Sequence, residues 1–343
     1  MSSKPAFKVL GRDTPRQDGV AKVTGREIFA SDMAFPNMLY GRILKSPYAH
    51  AKVKSMDVSK AEAMGAVTLT PGEIPDIKYC PRLVSVPSST YKDWKVLAEK
   101  GHYVGEPIGA VAAESEEEAQ RALESIEVDY EVLGASFDAF DSMKLGADLI
   151  HEQIYLEDDL IDVKNNIGCQ LEITKGDPAS LEAADYVIER TYRTNRRYHN
   201  QLETKSVLVR PEPDGGVSIW STTQTIHNTR LLIHDIYGIP MGKIRVYKVA
   251  LGGSFGSSIH VNPPVTVAVG LALKSRRPVK LCYTREEDIR DHCAYQIIFK
   301  LKLGAFKDGT LAGGQMEAYL DIGAHQIQAY PLLGCVVGWW VSL

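Results

Sequence analysis

Cysteine is scarce and unpatterned: the five are Cys80, Cys169, Cys282, Cys293 and Cys335. No two form a C-x-x-C pair, and none has a histidine at zinc-finger spacing. That argues against a disulfide framework, suits reduced thiols in a cytoplasmic protein, and puts any iron–sulfur cluster on another chain. Long apolar runs are missing too. Residues 1–5 lack the apolar core of a signal peptide. The uncharged stretch 332–343, with Trp339 and Trp340, falls short of the roughly 20 residues that span a bilayer. Two adjacent tryptophans at such an end imply cover by another polypeptide or by a continuation of the chain. Neither sign of charge dominates. Thirty-nine Lys and Arg against 43 Asp and Glu leave a net charge of −4, too even for bulk-charge binding of nucleic acid or acidic lipid. What is present is ordinary: 343 residues, 44% hydrophobic and 24% charged, which fit a soluble globular protein of roughly two domains.

Hydrophobic periodicity divides the chain near residue 140. Residues 1–140, with a core over 15–132, read as a compact α+β unit. Strands are expected at 38–44, 51–56, 66–69, 107–113 and 126–130, with helices near 59–64 and over 114–123. Ser115 precedes an acidic first turn there, and the helices are expected on one side of the sheet. Residues 141–343 continue with a helix at 178–184 and a strand at 186–193. A strand pair at 205–211 and 217–222 follows, joined by Pro213-Asp214-Gly215-Gly216. An amphipathic helix over 226–237 turns Ile226, Leu231, Ile233 and Ile236 to the core. A strand at 243–250, a helix at 264–274 and a strand at 278–284 come next. Two last strands, 297–305 and 313–319, flank Lys307-Asp308-Gly309. No fixed-period repeat is visible.

The strongest local feature is Leu251-Gly252-Gly253-Ser254-Phe255-Gly256-Ser257-Ser258, between a β-branched strand and a helix beginning near Pro263. A glycine-rich turn at such a place aims consecutive backbone N–H groups at one spot, where an anion is favoured. It is neither a P-loop, since no G-K-[ST] follows, nor a G-x-G-x-x-G fingerprint. A second feature, Ser221-Thr222-Thr223-Gln224, places an amide where a strand runs out before a helix. The third, His199-Asn200-Gln201-Leu202-Glu203, is a poor metal site because no further ligand lies nearby. Arg285-Glu286-Glu287-Asp288 most simply opens a helix with acids at its positive end. No carboxyl or histidine is singled out by spacing as a general acid or base, and no G-x-S-x-G elbow is present.

Taken in order, five motifs resemble one family closely. They are Val104-Gly105-Glu106-Pro107 running into Ala110-Val111-Ala112-Ala113-Glu114-Ser115; His199…Leu202-Glu203; Thr222-Thr223-Gln224; Gly252-Gly253-Ser254-Phe255-Gly256; and Arg277-Pro278-Val279-Lys280…Thr284-Arg285-Glu286-Glu287-Asp288. The chain resembles the N-terminal half of the molybdenum-cofactor subunit of the xanthine dehydrogenase and aldehyde oxidase family, the molybdenum hydroxylases. The resemblance implies an α/β hammerhead domain (1–140) followed by an incomplete molybdopterin-binding domain (141–343). It implies that Gln224 approaches the oxo face of the molybdenum, and that Gly253, Ser254, Phe255 and Gly256 line the metal and its pterin. No side chain of this chain would ligate the molybdenum, which the pterin sulfurs hold. The reaction implied is hydroxylation of an aromatic heterocycle or aldehyde with oxygen drawn from water. Electrons would leave through two [2Fe–2S] clusters to FAD on partner subunits. The general-base Glu would lie outside this chain, on a partner carrying the C-terminal half.

Three departures from the family pattern stand out. Ser254, Ser257 and Ser258 replace two Gly and a Lys of the usual G-G-G-F-G-G-K loop. Ile259 stands where xanthine-type members carry a Glu, and Ala294 where they carry an Arg. These losses point away from xanthine toward another heterocycle or an aromatic substrate. Two other readings compete. One is a truncated gene fragment acting only as an interaction module without catalysis. The other is a phosphate-ligand binder using the 252–256 turn.

Overall fold

The apolar strands expected in the two halves of the sequence assemble into one mixed sheet of seven. Its order is Ile244–Tyr247, Val217–Ser221, Ser206–Pro211, Val279–Cys282, Leu39–Lys45, Pro107–Ala113, Val67–Leu69. The computed structural model describes residues 7–11, 13–82, 91–156, 158–291 and 293–327. Cys335 and the stretch 332–343 lie outside them. Three strands of the sheet precede residue 140 and four follow it. They join where Leu39 pairs with Val279 and Gly41 with Leu281 in parallel register.

Pro107–Ala113 is buried at every position because it is apolar at both parities. Ala110 and Ala112 belong to the main core, which also contains Val267 and Leu271 of helix Pro263–Ser275. Val111 and Ala113 pack against Ala119 and Ala122 of helix Glu116–Glu124. Helices therefore cover both faces of this strand, not one side as the sequence suggested. Ser115 caps the second of them, accepting the Glu118 N–H at 3.2 Å. Helix Pro263–Ser275 is buried along residues 263–272, as expected for a helix apolar all round.

Helix Ile226–Tyr237 buries Thr229, Leu232, Ile233 and Ile236 and stops at Gly238, whose φ of 66° suits only glycine comfortably. The expected inward Leu231 is instead 36% exposed, while Leu232 faces the core. Positions 229, 232, 233 and 236 form one stripe at 3.6 residues per turn, and 231 falls outside it.

Three smaller sheets complete the chain. Tyr186–Arg193, Gln296–Ala305 and Leu311–Asp321 form an antiparallel set, whose first strand is exposed throughout. Ala51–Asp57 pairs with Glu127–Val132 and, at its start, with Lys100–Gly101. Gln153–Leu156 pairs with Asp159–Asp162 and, through Tyr91–Lys92, reaches back to the first segment. The four-residue pair was not anticipated, since its strands are too short to show a period. The expected helix at 178–184 is a 3₁₀ helix, Pro178–Ala183, opened by the Asp177 carboxylate on Ala179 N–H.

The turn after Leu311–Asp321 returns to the first segment through buried charge. His325 Nε2 lies 2.8 Å from Glu106 Oε1, and Gln326 N–H donates to Asp93 Oδ2 at 2.7 Å. Burial disfavours an imidazolium, but the Glu106 and Asp93 carboxylates outweigh it and hold His325 up at about 10. His151 is pushed down to about 3, chiefly by burial and then by His325 and His102. No helix among the described residues is long and apolar enough to cross a membrane. The four cysteines among them are free.

Candidate cofactor site

The glycine-rich turn begins two residues after Ala250, which bridges to Phe29 at the edge of the fold, and runs on toward the entry to helix Pro263–Ser275. It is pinned from two sides. On one side Gly252 N–H donates to Glu203 Oε2 at 2.6 Å, and Glu203 N–H returns to Gly252 O at 3.2 Å. A β-carbon at 252 would sit 2.8 Å from the Glu203 β-carbon, so the approach requires glycine. On the other side Ser254 Oγ–H donates to Gln224 Oε1 at 2.7 Å and accepts Ser258 N–H at 2.8 Å. Gln224 N–H closes the circuit on Ser258 O at 2.9 Å, and Thr225 Oγ1 on Ile259 O at 2.9 Å.

These bonds leave a defined set of donors unused. The backbone N–H groups of Gly253, Ser254, Phe255 and Gly256 meet no acceptor among the described residues. Gly253 and Gly256 have φ of 97° and 100°, and Phe255, unusually for an aromatic, has φ of 53°. Successive amides in such a turn form a concave anion cradle. With Gln224 Oε1 committed to Ser254, the amide NH₂ is the end left to donate outward. Nothing lies within 4 Å of a β-carbon built on Gly256, and the Phe255 ring is 75% exposed. The structure thus joins Gln224, Gly253, Ser254, Phe255 and Gly256 in one open wall.

The 198–205 segment beneath this wall is held by a network that the sequence did not reveal. Lys205 is 2% and Asp288 0% exposed, and their charges meet at 2.7 Å. Lys205 also reaches Asp291 at 3.3 Å. Asp288 Oδ2 accepts Gln201 Nε2–H at 2.7 Å and the Tyr198 hydroxyl, while Arg285 donates to Gln201 O at 2.7 Å. So the Arg285-Glu286-Glu287-Asp288 run is more than a helix opening: its last acid anchors the segment under the cradle. Burial raises the Glu203 carboxyl despite its bond from Gly252 N–H. His199 and Glu203 do not converge on a common metal-ligand cluster among the described residues. Ala294, exposed, pairs with Arg197 in an isolated bridge, its N–H donating to Arg197 O at 2.7 Å.

Residues 160–336 match the molybdopterin cofactor-binding domain, and residues 24–134 match the a/b hammerhead domain of aldehyde oxidase and xanthine dehydrogenase. The chain belongs to the xanthine dehydrogenase and aldehyde oxidase family of molybdenum hydroxylases. It is 35% identical, over 90% of its length, to a probable xanthine dehydrogenase subunit of Bacillus subtilis, of which it covers 40%. It is 29% identical, over 93% of its length, to the nicotinate dehydrogenase large molybdopterin subunit of Eubacterium barkeri, covering 72% of that protein. Its fold matches CO dehydrogenase from Oligotropha carboxidovorans with a TM-score of 0.76 at 26% identity, over 90% of this chain and 39% of the other. The chain therefore spans less than half of two of these three relatives.

Proposed function

We propose that this chain forms one wall of a molybdenum–molybdopterin site in a multi-subunit hydroxylase acting on an aromatic heterocycle or aldehyde. The carrying observation is the row of four unpaired backbone N–H groups at residues 253–256, beside the outward amide of Gln224. The residues fit an anionic, planar group: the cradle supplies donors without a fixed positive charge, and the space over Gly256 is open. When bound, the cofactor supplies the two-electron oxidising capacity for hydroxylation with oxygen drawn from water.

Each residue of this chain then has a separate task. The amides of 253–256 hold the cofactor's electron-rich edge, and Gln224 donates from the side. Ser254 keeps the Gln224 side chain in one orientation. Phe255 shields the site from water once the opposite wall is in place. That wall comes from a partner carrying the C-terminal half, including the general base. An iron–sulfur subunit and an FAD subunit carry the electrons away. The coverage of 72% of a protein named as a large molybdopterin subunit supports a molybdenum subunit shared between two chains. We place the complex in the cytoplasm on its scattered free thiols. Ile259 and Ala294, in place of two polar anchors, favour a substrate other than xanthine.

Co-purification with the products of neighbouring genes tests this reading. Molybdenum is expected in the complex and absent from the isolated chain. Molybdenum retained by the chain alone would contradict a shared site, and a complex lacking it would remove the functional reading altogether.

A further inference from the structure

Three donors from distant parts of the sequence converge behind the first segment: Asp93, His151 and His325. Their ligand atoms lie within 4.8 Å of one another. His325 Nδ1 and Asp93 Oδ1 are 3.5 Å apart, on side chains only 3% and 1% exposed, and neither atom has a hydrogen-bond partner. Two donors on one zinc ion sit about 3–4 Å apart, at bond lengths near 2.0–2.2 Å. At that separation the two atoms need a positive charge between them, which either a second proton on His325 or a metal cation can supply.

The far side of each donor is already occupied. His325 Nε2 faces Glu106 Oε1 at 2.8 Å, His151 Nε2 faces Ala324 O at 2.7 Å, and Asp93 Oδ2 accepts Gln326 N–H at 2.7 Å. A histidine that donates one ring N–H to a carboxylate or carbonyl presents its other nitrogen as a lone pair, the arrangement that orients metal-bound imidazoles. By this pattern the unused atoms are Asp93 Oδ1, His151 Nδ1 and His325 Nδ1. The overlapping group of His102, Glu106 and His325 is a poorer set. Both Glu106 oxygens are spent there, Oε1 on His325 and Oε2 on the His102 ring and backbone N–H.

We propose that Asp93, His151 and His325 bind a divalent d-block cation, zinc in the first instance, at a site separate from the molybdenum cofactor. Asp93 and Glu106 bring two negative charges into buried surroundings, and a divalent cation cancels both while the imidazoles stay neutral. Entry is through a cleft of about 400 Å³ lined by Asp93, His102, Glu106 and His151. Four lysines line it as well: Lys95 and Lys100 pair with Glu99 and Glu152, Lys78 donates to Gln153 O, and Lys52 adds a fourth. Three protein ligands leave a fourth position for water. The ion ties the turn after Leu311–Asp321 to the first segment, so its role is to fix the path of the chain there.

The test uses the full chain, purified without a histidine tag, stripped with chelator and titrated with Zn²⁺ or Co²⁺. Wild type is expected to take up one equivalent, with Co²⁺ absorption of N/O ligation, no thiolate charge-transfer band, and a raised melting temperature. Asp93→Asn and His151→Gln should abolish stoichiometric uptake, and Glu106→Gln should weaken it about 10–100-fold. His151→Gln is the deciding variant if others misfold, because its amide can still donate to Ala324 O, and circular dichroism checks its fold. No saturable uptake by wild type, or uptake that a folded His151→Gln leaves unchanged, overturns the proposal. Metal content by mass spectrometry reads this site whether or not molybdenum is bound.

Discussion

The Ser254 hydroxyl has two jobs: it donates to Gln224 Oε1 at 2.7 Å and accepts Ser258 N–H at 2.8 Å. Ser254→Ala leaves the buried Ser258 N–H without a partner, which costs about 1–3 kcal/mol. It also frees the Gln224 amide to rotate. Urea unfolding of the chain should register the loss. In the assembled complex kcat should fall with little change in KM, as expected when orientation rather than binding is lost. Lys205 and Asp288 make a second case. Lys205→Met removes the nearest countercharge of a fully buried carboxylate, leaving it Gln201, Tyr198 and the more distant Arg285, and should destabilise by about 3 kcal/mol in the same assay. The cradle was legible in sequence because glycines and an aromatic in one turn are a local signal. The Lys205–Asp288 pair was not, since its partners are 83 residues apart and each fits a bland local reading.

Elements were legible where a periodic pattern or an unbroken apolar run was long enough. Pro107–Ala113, Tyr186–Arg193 and Ile226–Tyr237 match expectation to the residue. The pattern failed where period and packing parted. In Ile226–Tyr237 three adjacent apolar residues, Leu231, Leu232 and Ile233, leave the inward stripe ambiguous, and only the neighbouring sheet selects Leu232 and Ile233. The choice has a direct consequence. Leu232→Ala opens a cavity in the main core and should cost about 2–5 kcal/mol, whereas Leu231→Ala should stay within about 0.5 kcal/mol. Denaturant midpoints of the two variants check this, and equal losses would mean that the helix is rotated. Proline at the start and too few residues for a period hid the 3₁₀ turn Pro178–Ala183.

The hammerhead match ends at residue 134 and the cofactor-domain match begins at 160, yet the largest sheet draws strands from both sides of that gap. Composition and periodicity cannot reveal such interleaving, because they carry no information on which strands pair. Cutting the chain at 140 would strip Leu39–Lys45 of its partner Val279–Cys282. It would also bare Ala110 and Ala112, which share a core with helix Pro263–Ser275. An unpaired inner strand with an apolar face is an aggregation template. The whole chain should therefore unfold in one cooperative transition through the seven-stranded sheet. Residues 1–140 expressed alone should lack a cooperative melt and associate in solution. Calorimetry of the two forms, with sedimentation of the shorter one, decides the matter. A sharp independent transition for 1–140 would mean that its helices and small sheet suffice to hold Pro107–Ala113, and that the shared sheet is a docking surface formed after folding.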